Sequence, residues 1–325
     1  MVRDVMPVAI LGAGVAGLTT AVRLAEAGRE VVIHEATPRL GLRAASWLAG
    51  GMLAPYCEAE VAGATIVAPG LEGIGWWQRR TAVDRLGTLV LAAPRDAADL
   101  RRFASRTHGH DALDAEAIAE LEPDLSGRFS RALFFRDEAH LDPRRALADL
   151  ARRLEELNGT ILYGSDAEPA AFRGEVVVDC RGRAARAERL RGVRGEMLLL
   201  RCPDVALTRP VRLLHPRWPI YVVPRGKGIY MVGATMVESE NEGPVTVRST
   251  LELLSAVTML HPAFAEGEIL ETGAARRPAL PDNLPTATRH GPVVTFAGLY
   301  RHGFLLSPHV SAEAARLALE VPEFA

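Results

Sequence analysis

Gly12-Ala-Gly14-Val15-Ala16-Gly17 follows an apolar run from Val8 and precedes a helical pattern, after which comes Val31-Val-Ile-His-Glu35. The pattern is a strand, a glycine turn, a helix and a second strand ending in a carboxylate. The three glycines have separate roles. Gly12 makes the tight turn, Gly14 lets backbone approach a pyrophosphate, and Gly17 lets helix pack on strand. The first turn of the helix, with Val15 and Ala16, offers free N–H groups and a positive dipole end to an anion. Glu35, twenty-one residues after Gly14 and followed by Ala36, is spaced to accept both hydroxyls of an adenosine ribose. A 2′-phosphate there would meet a like charge. The unit therefore predicts a dinucleotide of the FAD or NAD kind and leaves the choice between them open.

These residues must be positioned by the rest of the chain. Its 325 residues allow two domains, and 48% hydrophobic with 24% charged residues is ordinary for a globular enzyme. The formal net charge of −2 gives no electrostatic reason for a nucleic-acid partner. Arg144-Arg145 and Arg152-Arg153 fall on a helical pattern with acidic neighbours and read as a solvated face. Cys57, Cys180 and Cys202 are scattered without metal-ligand spacing, so free thiols in a reducing cytoplasm and no metal site are expected. No apolar run is long enough to span a bilayer, and the apolar start is a strand rather than a leader.

Leu18, Val22 and Ala25 have the 3–4 spacing of a buried helix face. Residues 42–55 are small, apolar and punctuated by Gly50 and Gly51, too irregular for a long helix and suited to passing close to a flat ligand. Thr88–Ala92 reads as a strand. Asp142-Pro143 opens a helix, with Asp142 as N-cap and Pro143 at N1. Its buried face is Leu147, Leu150, Leu154 and Leu157, and it ends at Asn158-Gly159. Strands are expected at Thr160–Tyr163 and Val176–Asp179, the second a valine run buried on both faces. From Gly195 the texture becomes strands at 196–201, 211–215, 220–224 and 228–233, read as an antiparallel sheet. A helix near 247–260, an apolar strand at 293–297 and a last helix opened by Ser307-Pro308 complete the chain. Nucleotide-type elements thus stand at the start, middle and end, which disfavours a simple NAD dehydrogenase with one contiguous nucleotide domain.

Four further segments converge: Tyr221-Val-Val-Pro-Arg225, Gly233-Ala-Thr-Met236, Ala275-Arg276-Arg277-Pro278, and Gly298-Leu-Tyr-Arg301-His302-Gly303 running on to Pro308. With the amino-terminal motif and Ser46–Glu58, they resemble the glycine-oxidase type of the D-amino-acid oxidase superfamily over nearly the whole chain. The resemblance implies a two-domain α/β fold, a Rossmann-like βαβ domain plus an antiparallel-sheet substrate domain. It implies non-covalent FAD and oxidation of a small amino acid, glycine first, to an imine with oxygen becoming hydrogen peroxide. The glycine imine can feed the thiazole of thiamine. No catalytic side chain is implied, because hydride passes directly from the α-carbon to flavin N5.

In this resemblance Arg277 binds the substrate carboxylate, Arg301 is a second cationic partner, Tyr221 hydrogen-bonds the carboxylate and Met236 is an apolar wall. An arginine fork fits such a carboxylate bidentately. Cofactor contacts fall on Gly12, Gly14, Val15, Ala16, Gly17, Glu35 and Ala36 for the ADP half, with Gly182 near the adenosine. Ser46, Gly50, Gly51, Met52 and Leu53 flank the flavin on one side. Gly298, Arg301, His302, Gly303, Phe304 and Leu305 flank it on the other, and Ser307 caps a helix aimed at the ring. His302 is assigned no base role. Residues 1–85, 140–195 and 270–325 are expected to form the cofactor domain, and 86–139 and 196–269 the substrate domain. A homo-oligomer is implied. Rival readings are an oxidase or dehydrogenase of sarcosine, another small amine or a D-amino acid, a non-catalytic flavin-binding subunit, and an NAD enzyme.

Overall fold

The structure, a computed structural model, describes residues 7–173, 175–185 and 187–320. Its first half contains β1 (Val8–Leu11), α1 (Val15–Glu26), β2 (Val31–Glu35), β3 (Met52–Leu53), α2 (Pro55–Ala62), α3 (Val67–Gln78), β4 (Thr88–Ala92), α4 (Ala97–Arg106), β5 (Asp111–Asp114), α5 (Ala115–Leu121), β6 (Arg131–Phe135), β7 (Ala139–His140), α6 (Pro143–Glu156) and β8 (Thr160–Tyr163). The second half contains β9 (Val177–Asp179), β10 (Arg191–Arg201), β11 (Val211–Leu214), β12 (Ile220–Pro224), β13 (Ile229–Gly233), β14 (Val237–Glu238), α7 (Val247–Leu260), β15 (Glu268–Ala279), β16 (Thr286–His290), β17 (Val293–Ala297) and α8 (Gly303–Leu319).

One sheet runs β16-β17-β9-β1-β2-β8 and is parallel except for the edge strand β16. The chain leaves β1 for β2 on one side, while β9 fills the other side. The carboxyl end of β1 is therefore a topological switch point, where such sheets bind ligands. Strand β9 is buried along its length, as its valines predict. Leu18, Val22 and Ala25 of α1 and Leu147, Leu150 and Leu154 of α6 join the same apolar core. Asp142 caps α6 as expected, accepting from the N–H groups of Arg144 (2.8 Å) and Arg145 (3.1 Å).

The other sheet runs β14-β10-β13-β12-β11-β4-β6-β5, with β15 on the outer side of β10. It is not wholly antiparallel: β11 and β4 pair in parallel, because β4 arrives from far earlier in the chain and not by a hairpin. Strand β15 pairs with β10 over nearly its full length, Val193 opposite Arg277 and Gly195 opposite Ala275. Residues 268–279 thus lie in this sheet, although the boundary at 270 was expected to return the chain to the cofactor domain. The arginine before Pro278 is a strand residue.

The last helix also differs from expectation. It begins at Gly303, with His302 at the N-cap position, and runs through Pro308. Ser307 is inside the helix, fully buried, and its hydroxyl has no partner among the described residues, so it caps nothing. Proline lacks the N–H that would bond the carbonyl four residues back. Here that carbonyl, of Phe304, accepts from the indole Nε1–H of Trp77 on α3 at 2.7 Å. A tertiary donor replaces the missing backbone one, and the helix continues.

Candidate active site

A cleft of about 1290 Å³ runs from the end of β1 to the face of the second sheet. That exceeds the usual range for a small-ligand pocket and suits an elongated ligand. At its first end Gly12 has φ +94°, a conformation open to glycine. A Cβ on Gly17 would stand 1.9 Å from the carbonyl oxygen of Gly12, so Gly17 is what lets α1 close on the turn. A Cβ on Gly14 would meet nothing nearer than the Ser46 hydroxyl at 3.6 Å, so its surface is left to the cleft. Val15, Ala16, Glu35, Ala36 and Gly182 also line this end. Gly17 does not line it and serves packing alone.

Two expected ligand contacts are partly taken up within the protein. Glu35 Oε2 accepts from the Ala13 N–H at 2.8 Å, and Oε1 accepts from Thr37 N–H and hydroxyl at 3.0 and 2.6 Å. The Val15 N–H donates to Ser46 Oγ at 3.2 Å. These bonds fix the carboxylate and the 44–48 segment against the turn.

Ser46, Gly50, Gly51 and Met52 line the middle of the cleft. Both glycines are also required by the protein's own packing. A Cβ on Gly50 would be 2.7 Å from the Tyr221 ring, and one on Gly51 would be 2.2 Å from the Leu141 carbonyl. Leu53 points away and is fully buried in the core. Gly298, with φ +85°, makes a turn packed against Leu280 and does not line the cleft.

The far end brings together residues from five segments. Tyr221 on β12 lies over Gly50 and Gly233, whose added Cβ would be 3.0 Å from the ring. Arg277 on β15 lies over Gly195 of β10, where a Cβ would be 2.2 Å from Nη2. Its Nη1 donates to the Thr235 carbonyl at 3.1 Å, and among the described residues no carboxylate lies within ion-pairing distance of it. Burial lowers the pKa of Arg277; Tyr221 opposes that, and the Arg301 charge adds to it. Gly303, Phe304 and Leu305 bring the N-terminus of α8 to the same end. That dipole favours negative charge there.

Arg301 is present but engaged. Its Nη2 donates to Glu58 Oε1 at 3.1 Å and its Nη1 to Met236 Sδ at 3.2 Å. Arg212 of β11 donates to the same Glu58 oxygen at 2.9 Å. Burial pushes the Glu58 carboxyl up, but the Arg301 and Arg212 charges outweigh it and hold it at about 2. His302 is buried, with Nδ1 3.4 Å from Glu58 Oε2; burial lowers its pKa while Glu58 opposes the shift. It sits behind Glu58 and does not line the cleft. Met236 is half exposed at the cleft wall. Sequence reasoning does not single out Glu58, Arg212 or Gly195. Glu58 closes the Ser46–Glu58 stretch, but nothing local marks an arginine or a glycine within a strand as part of a site.

A family model described as FAD dependent oxidoreductase matches residues 7–317. The chain belongs to that family. A Rhizobium etli protein, provisionally named as thiamine biosynthesis oxidoreductase ThiO, is 52% identical to this FAD-dependent oxidoreductase over 318 residues, covering 97% of each chain. The glycine oxidase of Bacillus licheniformis is 25% identical over 360 residues, covering 96% of this chain and 93% of its own. The crystal structure of glycine oxidase from Geobacillus kaustophilus has the same fold, with a TM-score of 0.80 at 23% identity, covering 96% of this chain and 94% of that one. The cofactor is thus FAD, the protein is an oxidoreductase, and the NAD-enzyme and non-catalytic readings fall away.

The residues present fit that cofactor. The open face of Gly14, the N-terminus of α1 and Glu35 would hold the ADP half. Ser46–Met52 and the first turn of α8 would border the ring system. Among the described residues no group of histidine, cysteine and acidic side chains could hold a metal ion, and no helix is long and apolar enough to cross a membrane.

Proposed function

We propose that this enzyme oxidises the amine of a small amino acid, glycine first, to the imine, with oxygen reduced to hydrogen peroxide. The observation that carries the reading is the Arg277 guanidinium, held against Gly195 beside Tyr221 with no ion-paired carboxylate among the described residues. A partly buried cation without a partner anion is a site for an anion from outside. Tyr221 adds a hydroxyl to the same wall, and Met236 an apolar surface.

Bound FAD supplies the two-electron acceptor that amine oxidation requires. The protein's part is to hold the carboxylate and so fix the α-carbon in one orientation. Neither His302 nor Glu58 is assigned a base role. We propose the 1–85 and 140–190 segments, with the chain from β16 onward, as the cofactor domain and the nine-stranded sheet, which β10 enters at Arg191, as the substrate domain. The three free cysteines, all buried, suit a reducing cytoplasm. The Rhizobium etli relative supports the proposal that the imine feeds thiamine thiazole synthesis.

The test is a peroxide assay of the flavin-loaded protein with glycine, sarcosine and D-alanine. Glycine is expected to give the highest kcat/KM. Peroxide from none of the three, with flavin bound, overturns the oxidase reading. A preference for sarcosine or D-alanine overturns the choice of glycine alone.

A further inference from the structure

We propose that Glu58 is a specificity-determining residue that disfavours substrates bearing a second carboxylate. This rests on the reading of the site as a clamp for an amino-acid carboxylate.

Glu58 reaches the cleft wall from α2 and takes hydrogen bonds from two guanidinium groups of different origin. Arg212 comes from the nine-stranded sheet and Arg301 from the segment leading into α8. The second amino group of Arg301 is turned to the Met236 sulfur. Arg212, Arg277 and Arg301 all line the cleft, and of these three only Arg277 is without a carboxylate among the described residues. The two arginines keep Glu58 ionised at neutral pH.

A substrate with one carboxylate needs only Arg277. A second carboxylate drawn toward Arg301 or Arg212 meets a different surface. There Glu58 already occupies the guanidinium edge, and its own charge repels a like charge. Glu58 lowers the formal charge of the Arg212–Arg301 group from two to one. Glutamine at this position has the same shape without the charge. It would restore both cationic edges and remove the repulsion.

The experiment titrates flavin-loaded wild type, Glu58→Gln and Glu58→Asp at pH 8 with acetate and malonate. Calorimetry and the change in the flavin absorption spectrum report binding. The ratio of malonate to acetate affinity is expected to rise at least tenfold in Glu58→Gln and to stay within about threefold of wild type in Glu58→Asp. An unchanged ratio in Glu58→Gln, or an equal loss of both affinities, overturns the proposal, since a merely structural role weakens both together. If Glu58→Gln does not fold, Arg301→Gln decides. Acetate binding is expected to change by less than about threefold in Arg301→Gln and by about a hundredfold in Arg277→Met. Equal losses in these two variants overturn the proposal. Wild type that binds neither acid sinks the amino-acid reading and this inference together. Wild type that binds acetate, with an unmoved ratio in Glu58→Gln, sinks the role of Glu58 alone.

Discussion

Replacing Gly195 with alanine adds one methyl group, and the structure gives its consequence a size. The new Cβ would stand 2.2 Å from Arg277 Nη2 and 2.3 Å from Cζ. Ordinary contact between such atoms is about 3.5–4.0 Å, so the guanidinium must move by about 1.5 Å. It can move, because it is the far end of a flexible side chain rather than backbone. Displacing a substrate-positioning group by about 1 Å can cost roughly 10²-fold in rate. Gly195→Ala is therefore expected to lower kcat/KM for glycine about a hundredfold. Stability should not follow. Gly195 has no positive φ, and alanine is favoured over glycine in a strand by roughly 0.5–1 kcal/mol. The assay pairs steady-state peroxide production with thermal unfolding of the same preparations. Lower activity with an equal or higher Tm is expected. Wild-type kcat/KM in Gly195→Ala would refute the placement of Arg277 against β10. A parallel collapse of Tm would show that the glycine serves the fold rather than the arginine.

Arg277→Met keeps the bulk of the side chain and removes the charge-assisted bonds to a carboxylate. A loss of about 3 kcal/mol is expected, near a hundredfold rise in KM for glycine, with Tm little changed because Arg277 has no ion pair among the described residues. Trp77→Phe removes the donor that satisfies the Phe304 carbonyl beneath Pro308. An orphaned buried carbonyl costs about 2 kcal/mol, so Tm should fall by roughly 3 °C in a chain of 325 residues; an unchanged Tm would count against the indole as the replacement donor. Glu138 is buried, with Oε1 accepting from the Cys57 N–H at 2.7 Å and Oε2 without a partner. Burial pushes its carboxyl up to about 7, with the Cys57 N–H hydrogen bond opposing. A raised carboxyl binds more protons folded than unfolded, so its contribution to stability is greatest below about pH 4.5 and is lost as pH rises toward 7. Glu138→Gln should flatten that part of the Tm-against-pH curve and raise Tm at pH 8; a curve parallel to wild type would disprove it.

The parts of this molecule that the sequence alone determined are those fixed by local rules. The turn at Gly12–Gly17, the apolar face of α1, the Asp142-Pro143 cap and the valine strand β9 each follow from a few neighbouring residues. A backbone conformation or a period reads directly along the chain. The resemblance added Arg277 and Tyr221, and both line the cleft.

Tertiary structure decided the rest, because its causes lie far apart along the chain. The helix runs through Pro308 only because Trp77, 227 residues before Phe304, supplies a hydrogen bond. Gly195 makes room for a guanidinium only because β10 pairs with β15 in this register. Arg301, expected as a second partner of the substrate, donates to Glu58 on α2, which Arg212 shares from the nine-stranded sheet. A side chain's charge can be read from its letter, but its partner is chosen by strand register and layer packing. In this protein that choice separates Arg277, without a carboxylate partner among the described residues, from Arg212 and Arg301, which share Glu58.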